Sequence, residues 1–320
     1  MSDLILVDRL VKYFSSGGGF LAGPRKDVHA VDDVSFVIRR GETFGLVGES
    51  GCGKTTTGRL ILRLIEPTSG RILYEGKDIM EFGNKEMRLM RRKMQLIFQD
   101  AFSSFDARKT VYEIVAEPLQ VHGLASGAEL YERAADLLNT VGLEQRHAAE
   151  YPHTLSSGQK QCVGIARALS LNPEFMVADE PISAVDVSVT AQILNLMKDL
   201  QGRFNLTYLF ISHDMSVIRY LSDRVGVMYV GKLVEYADKQ DLFKEPIHPY
   251  SRALLAAVPI EDPVERRDRK ILEGDVPSPI NPPPGCRFHT RCEFAKPVCG
   301  EQEPPLTDRG SGHYVACHVY

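Results

Sequence analysis

Residues 48–56 read GESGCGKTT and follow directly on the apolar run TFGLV at 43–47. Glycines, a lysine and a run of threonines make a weak helix start by propensity. Yet Leu60, Ile61, Leu64 and Ile65 carry helical spacing from Lys54 to Ile65, until Pro67 stops it. Glycines at that position let the backbone curl so that several N–H groups point inward at an anion. The helix N-terminus behind them adds a favourable field. Gly48-x-x-x-x-Gly53-Lys54-Thr55 fits the P-loop pattern in the setting it requires, after a strand and before a helix. In that reading Gly48, Glu49, Ser50, Gly51, Cys52, Gly53, Lys54, Thr55 and Thr56 wrap the phosphates of ATP. Lys54 reaches the terminal phosphates, and the Thr55 hydroxyl holds Mg²⁺.

Composition narrows what such a loop can serve. The chain has 320 residues and a formal net charge of −4, with no long basic runs, which argues against a nucleic-acid binder. The start, MSDLILVDRL, does not read as a secretory signal, and no apolar run approaches the roughly 20 residues that span a bilayer. A soluble, cytoplasmic chain with reduced thiols is expected. Cys52 and Cys162 are scattered, whereas Cys286, Cys292, Cys299 and Cys317 crowd the C-terminal end.

Around the loop, strand-like patterns cover Leu4 to Leu10, Val31 to Ile38, Arg71 to Tyr74 and Met94 to Phe98. A glycine-rich insertion, SSGGGFLAGP, separates the first two. From about Thr110 to Leu169 the pattern turns mainly helical. Strand signals return at Phe175 to Ala178, Leu206 to Ile211, Val225 to Val230 and Leu233 to Tyr236. The expected fold is therefore α/β: a P-loop core with a β-rich N-terminal part and a helical subdomain at about 100–170. A domain over 1–260 is expected, followed by an extension over 261–320 with the proline-rich connector VPSPINPPPG (276–285) and the cysteines.

FMVADEP (175–181) is an apolar strand ending in two carboxylates. Asp179 suits Mg²⁺, and Glu180 can orient and polarise an attacking water. Further short motifs follow in order. Gln99 comes after MQLIF, LSSGQKQ (155–161) precedes a helix, SAVD (183–186) follows the acidic strand, and His213 lies in ISHD. This order resembles the ATPase subunits of ABC transporters over about residues 1 to 260. The resemblance implies two subunits closing head to tail over two ATP molecules. Lys54, Thr55, Gln99, Asp179, Glu180 and His213 would surround one nucleotide, with Gln99 also on Mg²⁺ and relaying to the helical subdomain. Ser156, Ser157, Gly158, Gln159 and Asp186 would face the nucleotide of the partner. Tyr13 and Phe14 are candidates for stacking on adenine or for the core. The usual signature LSGGQ carries serine at 157 here, which either slows the trans half-site or is tolerated. Asp106 and Ala107 break a stretch that usually reads SSLNPRKT, and Cys162 stands where a basic residue is more common.

EPIHPYSRALLAAVP (245–259), the proline-rich connector and GCRFHTRC resemble the ATPase subunits of dipeptide, oligopeptide and nickel importers. That resemblance implies an ATPase on the cytoplasmic face of the membrane, with a second, paralogous ATPase subunit. It also implies two transmembrane permease subunits and an extracytoplasmic solute-binding protein. A nickel importer and a non-transport ABC ATPase are the rival readings. About 100 residues separate the P-loop from the signature with no sustained heptads, and there is one P-loop, which disfavours repair and translation ATPases. The cysteine spacing C-x₅-C-x₆-C-x₁₇-C leaves iron–sulfur, zinc and unligated thiols open. The resemblance implies a 4Fe–4S cluster. His289, His313 and His318 are expected at the surface, with alternative ligation open to them. The tail is expected to be fastened by the cluster, so that losing it spares ATP binding.

Overall fold

The computed structural model describes residues 2–16, 26–183, 185–257 and 274–320. Most of the glycine-rich insertion and the domain boundary expected at 260 lie outside these residues. In chain order the strands and helices begin with β1 (Asp3–Ser16), β2 (Lys26–Arg39), β3 (Thr43–Val47), α1 (Lys54–Ile61), β4 (Ser69–Tyr74) and β5 (Lys77–Asp78). Next come α2 (Asn84–Lys93), β6 (Met94–Ile97), α3 (Val111–Val121), α4 (Gly127–Thr140), α5 (Ser157–Leu169) and β7 (Phe175–Asp179). Then follow α6 (Val187–Phe204), β8 (Thr207–Ser212), α7 (Met215–Leu221), β9 (Arg224–Tyr229) and β10 (Lys232–Asp238). The chain closes with α8 (Lys239–Lys244), α9 (Pro249–Ala256), α10 (Pro297–Glu301), β11 (Thr307–Asp308) and β12 (Tyr314–Val315).

Helix α1 stops at Ile61, a turn before the expected Ile65. Arg63 takes a left-handed φ of 47°, and the Leu64 N–H reaches the Arg59 carbonyl at 2.9 Å while the Arg63 N–H reaches Leu60 at 2.8 Å. This paired closure consumes the end carbonyls and terminates the helix without waiting for Pro67. The first two strands run longer than their apolar patterns because they pair with each other from Asp3↔Arg39 to Ser16↔Lys26, with irregularities between Val7 and Lys12.

The chain divides into two compact units, residues 1–81 with 211–320, and residues 82–210. In the first, an antiparallel sheet runs in the order β2–β1–β4–β5. Ile5 and Val7 are buried and Leu6 is exposed, the period-two signature of a sheet with one covered face. Strand β3 pairs in parallel with β9, Phe44 opposite Arg224 and Val47 opposite Val227. β9 turns back into β10, and β12 adds to β10 through Glu235↔Val315 and Tyr236↔Tyr314. Every position of β3 is buried. Its Gly45 leaves room for α7, since a Cβ there would lie 2.3 Å from the Ser222 hydroxyl.

In the second unit β6 pairs in parallel with β7, and β8 lies beside β7. β7 and β8 are buried at every position, as continuous apolar strands covered on both faces must be. Helix α3 starts at Thr110, whose hydroxyl accepts the Glu113 N–H while Glu113 returns a bond to the Thr110 N–H. Arg167 on α5 donates to the Ser104 carbonyl at 3.0 Å and hydroxyl at 2.8 Å, with its guanidinium over the Phe105 ring. That clamp orders the segment after Gln99. In the same segment Asp106 accepts from the Arg108 backbone and side chain, which holds its carboxyl down at about 2.

One buried polar knot in the first unit sets the start of α9. The Glu235 carboxylate is fully buried and accepts the N–H groups of Ile247 at 2.8 Å and His248 at 3.0 Å, and His313 Nε2 at 2.7 Å. His313, expected at the surface, is therefore buried, because this carboxylate needs a donor on its remaining side. His248 Nδ1 accepts the Tyr250 N–H at 3.1 Å and caps α9. Burial, opposed by the nearby Glu235 charge, pushes the His248 imidazole down to about 4.

That depression has a defined direction. Above the unfolded imidazole value both folded and unfolded chains hold His248 neutral. As pH falls below it, the unfolded chain takes a proton that the folded chain refuses until about pH 4. Stability should fall over that window by up to about 3 kcal/mol from this residue alone. His248→Asn keeps a capping acceptor and removes the titration. Urea midpoints measured across the window should fall less steeply in the variant, and parallel slopes would exclude His248 as the source.

Candidate functional site

The glycine loop closes on a buried cation. Lys54 is 4 % exposed, and its ammonium donates to the Gly48 carbonyl at 2.7 Å, the Glu49 carbonyl at 3.0 Å and the Cys52 sulfur at 3.7 Å. A buried ammonium requires such partners, and here two carbonyls and a sulfur supply them. Gly53 stands at φ +106°, and a Cβ there would lie 2.1 Å from the Ala30 carbonyl oxygen, so only glycine fits where the loop turns into α1. Burial chiefly, opposed by Lys54, raises the Cys52 thiol and keeps it protonated beside the lysine. Thr55 and Thr56 lie half-buried in the first turn of α1, while Ser50 and Gly51 are exposed at the loop crest.

The expected aromatics are used differently. The Tyr13 hydroxyl donates to Asp32 at 2.8 Å, and its ring lies 4.1 Å from His29. Burial and the Asp32 carboxylate push that phenol up to about 12. Phe14 is 42 % exposed, with the Lys12 ammonium 5.0 Å over its ring. His213 is exposed in the turn between β8 and α7, where the Asp214 side chain caps α7 through the Ser216 N–H at 2.8 Å.

In the second unit Asp179 ends β7 and is 4 % exposed. Glu180 follows with a left-handed φ of 44°, a costly backbone for a non-glycine residue that aims its side chain off the strand end. Gln99 donates to the Glu180 carboxylate at 3.2 Å, so two of the expected catalytic groups are in contact. At the signature, the Ser156 hydroxyl accepts the Gln159 N–H at 3.3 Å and Gln159 accepts the Ser156 N–H at 2.9 Å. In the single chain Ser156 and Gln159 thus form a helix cap. Gly158 is buried against α6, where a Cβ would meet Val189 at 2.5 Å, and Ser157 is half-buried. Asp186 is exposed at the start of α6, and its carbonyl accepts the Val189 and Thr190 N–H groups at 2.9 Å.

All six cysteines are unbridged. The four C-terminal thiols lie in one another's field: burial, together with Cys317, Cys299 and Cys292, pushes Cys286 up to about 11, against a hydrogen bond from the Phe288 N–H. Burial likewise raises Cys292, whose sulfur accepts the Phe294 N–H. Cys299 accepts the Lys296 N–H and Cys317 the Val319 N–H, each at 3.4 Å. Among the described residues no three His, Cys, Asp or Glu side chains converge as ligands of a metal ion. One ring nitrogen of His289 and of His318 contacts a backbone carbonyl, of Cys286 and Gln302 respectively. Cys162 is half-buried, and burial raises it to about 11.

Sequence reading missed two residues that touch the glycine loop. Tyr250 accepts the Glu49 N–H at 2.9 Å, and Arg291 binds the Glu49 carboxylate at 3.0 Å. They lie 201 and 242 positions away from it, so no local pattern pairs them. Arg291 immediately precedes Cys292, so its contact ties the cysteine-bearing tail to Glu49 of the glycine loop. Phe288, 2 % exposed, packs against Tyr229, Tyr250 and His248, and Arg287 binds Asp32 and the Val230 carbonyl.

Known proteins match this arrangement. Residues 31–183 match the family described as ABC transporter, and residues 234–299 the one described as Oligopeptide/dipeptide transporter, C-terminal region. The chain is 51 % identical over 312 residues to the oligopeptide transport ATP-binding protein AppF of Bacillus subtilis, covering 97 % of this chain and 95 % of that one. It is 52 % identical over 304 residues to the putative oligopeptide transport ATP-binding protein YkfD of the same organism, covering 94 % and 92 %. A putative peptide import ATP-binding protein of Brucella ovis is 53 % identical over 287 residues, covering 90 % of each. Among solved structures, the dimeric post-hydrolysis state of the ATP-binding cassette MJ0796 bound to ADP and Pi superposes with a TM-score of 0.66 at 29 % identity. It covers 74 % of this chain and 99 % of that one. With a P-loop α/β core and a C-terminal region matched over nearly their whole length, this chain belongs to the ATP-binding subunits of ABC transporters of the oligopeptide/dipeptide type.

Proposed function

We propose that the chain hydrolyses ATP to energise import of di- and oligopeptides, sitting peripherally on the cytoplasmic face of a membrane. The observation that carries this reading is the buried Lys54 ammonium, held by loop carbonyls at the start of α1. The chain bearing it has relatives named for oligopeptide or peptide import. Those names favour peptide over nickel. Among the described residues no helix is long and apolar enough to cross a membrane, so the permeation path would belong to two transmembrane subunits, supplied by a solute-binding protein.

In this reading Lys54 takes the terminal phosphates and the loop N–H groups the remaining oxygens. Thr55, Gln99 and Asp179 would hold Mg²⁺, which would supply positive charge to the phosphates. Asp179, buried at a strand end, suits that cation, as does the Thr55 hydroxyl in the first turn of α1. Glu180 orients the attacking water and accepts its proton as the γ-phosphoryl leaves the β-phosphate oxygen, with His213 steadying the γ-phosphate. Gln99, already on Glu180, would report the state of that carboxylate to the helices that follow it. Phe14, with its exposed ring, suits adenine stacking better than Tyr13, whose hydroxyl is committed to Asp32. Ser156, Ser157, Gly158, Gln159 and Asp186 would face the nucleotide of a second ATPase subunit. Closure is then driven by ATP binding the closed pair more tightly than the open one.

The same reading gives Cys286, Cys292, Cys299 and Cys317 a 4Fe–4S cluster, with zinc as the alternative. Each sulfur accepts a backbone N–H, the bond that supports a metal-bound thiolate. The cluster would supply cross-linking to a tail with little core of its own.

Glu180→Gln should lower ATP turnover by about 10²- to 10⁴-fold while ATP binding and ATP-dependent pairing persist. Turnover near wild type would remove Glu180 from the chemistry. If Ser157 crowds the partner's γ-phosphate, Ser157→Gly should raise hydrolysis in the assembled transporter and leave the isolated subunit unchanged. An unaltered rate in both preparations would make the serine neutral. Protein purified without oxygen should be brown, with broad absorbance at roughly 400 nm, and Cys292→Ser should lose that colour. Colourless protein with one zinc per chain would assign zinc instead.

A further inference from the structure

Glu49 is an odd residue for a loop that receives phosphates, because its carboxylate repels the ligand. Its three functional groups are nevertheless all engaged. The N–H donates to the Tyr250 hydroxyl at 2.9 Å, and the carbonyl accepts the Lys54 ammonium at 3.0 Å. The carboxylate receives Arg291 through Nη1 at 3.0 and 3.3 Å and Nη2 at 3.4 Å. Neither partner is a surface contact. The Arg291 side chain is 6 % exposed and Tyr250 is fully buried. Arg291 is fixed further by the Tyr229 hydroxyl at 3.4 Å, and Tyr250 by tilted ring contacts with Tyr229 and Phe288.

We propose that Arg291 and Tyr250 are positioning residues for ATP: Tyr250 pins the backbone of the glycine loop at Glu49, and Arg291 cancels the Glu49 charge next to the phosphate site. A bidentate guanidinium suits that task, since it neutralises and orients the carboxylate at once. The Glu49 carbonyl is also an anchor of Lys54, so a shift of Glu49 displaces the phosphate-binding ammonium with it. Arg291 lies in the short turn His289–Arg291 between Cys286 and Cys292. Order in the cysteine-bearing tail is thereby linked to the affinity of a loop more than 200 residues earlier in the chain.

The inference rests on the nucleotide reading of residues 48–56, and the two fail separately. Wild-type protein that does not bind Mg–ATP overturns that reading. Wild-type protein that binds it, alongside an Arg291→Gln variant of equal affinity, overturns only the positioning role. The measurement is the dissociation constant of a fluorescent Mg–ATP analogue on the full chain, with KM and kcat taken in parallel. Arg291→Gln should weaken binding about tenfold and raise KM more than it lowers kcat. In a Glu49→Gln background the same substitution should cost at most about twofold, because there is no charge left to cancel. Equal losses in both backgrounds would make Arg291 a packing residue and sink the charge argument. Arg291→Lys should recover part of the affinity, and it remains informative if Arg291→Gln folds poorly. Tyr250→Phe keeps the ring packing and removes only the acceptor. It should weaken binding by several-fold with an unchanged melting temperature, and unaltered affinity would free the Glu49 backbone from Tyr250.

Discussion

A lysine ammonium that is almost wholly buried needs acceptors in every direction its protons point, and the geometry around Lys54 follows from that need. The Gly48 and Glu49 carbonyls reach it only because the loop doubles back on itself. The doubling back demands glycine at 53, where the backbone passes against Ala30. The loop in turn is held from behind by Tyr250 and Arg291. Tyr250 is placed by the His248 cap, and His248 by the fully buried Glu235 carboxylate with His313 on its far side. A single cation at the start of α1 is thus connected to residues across the C-terminal third of the chain.

The second unit is organised around a different constraint, the emergence of carboxylates from a fully covered strand. β7 is buried through Asp179, so the chain must change direction at once if Glu180 is to leave the interior. The left-handed backbone at Glu180 makes that change, and Gln99 meets the side chain where it emerges. The Arg167 clamp on Ser104 keeps the segment beyond Gln99 ordered. Strain at Glu180 and order after Gln99 serve one contact. The signature segment shows the complementary economy. Ser156 and Gln159 satisfy each other as a helix cap, and under the proposed pairing a phosphate from the partner would compete for groups already hydrogen-bonded.

Much of this was legible in the sequence, and the reasons are local. The glycine loop was legible from its spacing between a strand and a helix, whereas the acidic strand end and the signature became legible only through their order along the chain and the family resemblance that order carries. Buried strands such as β7 and β8 carry continuous apolar runs that need no context. What escaped was set by distant partners. The end of α1 depends on Arg63 adopting a left-handed turn, which no apolar period encodes. The short β5, β11 and β12 contain too few residues to show alternation and exist because a neighbouring strand pairs with them. Tyr250, Arg291 and His313 looked like a motif aromatic, a tail cation and a surface imidazole. Their importance lies in contacts 78 to 242 positions away along the chain.

The pairing of β12 with β10 bears on more than the cysteines. Without it, β10 would present a row of unpaired backbone groups beside the apolar Leu233 and Val234, a template on which another chain could pair. The tail covers that row with a strand of two residues, then with β11, which is equally short and carries Asp308. An extendable edge is exchanged for a brief, charged one. The C-terminal segment thus covers an edge of β10 that would otherwise offer itself to another strand.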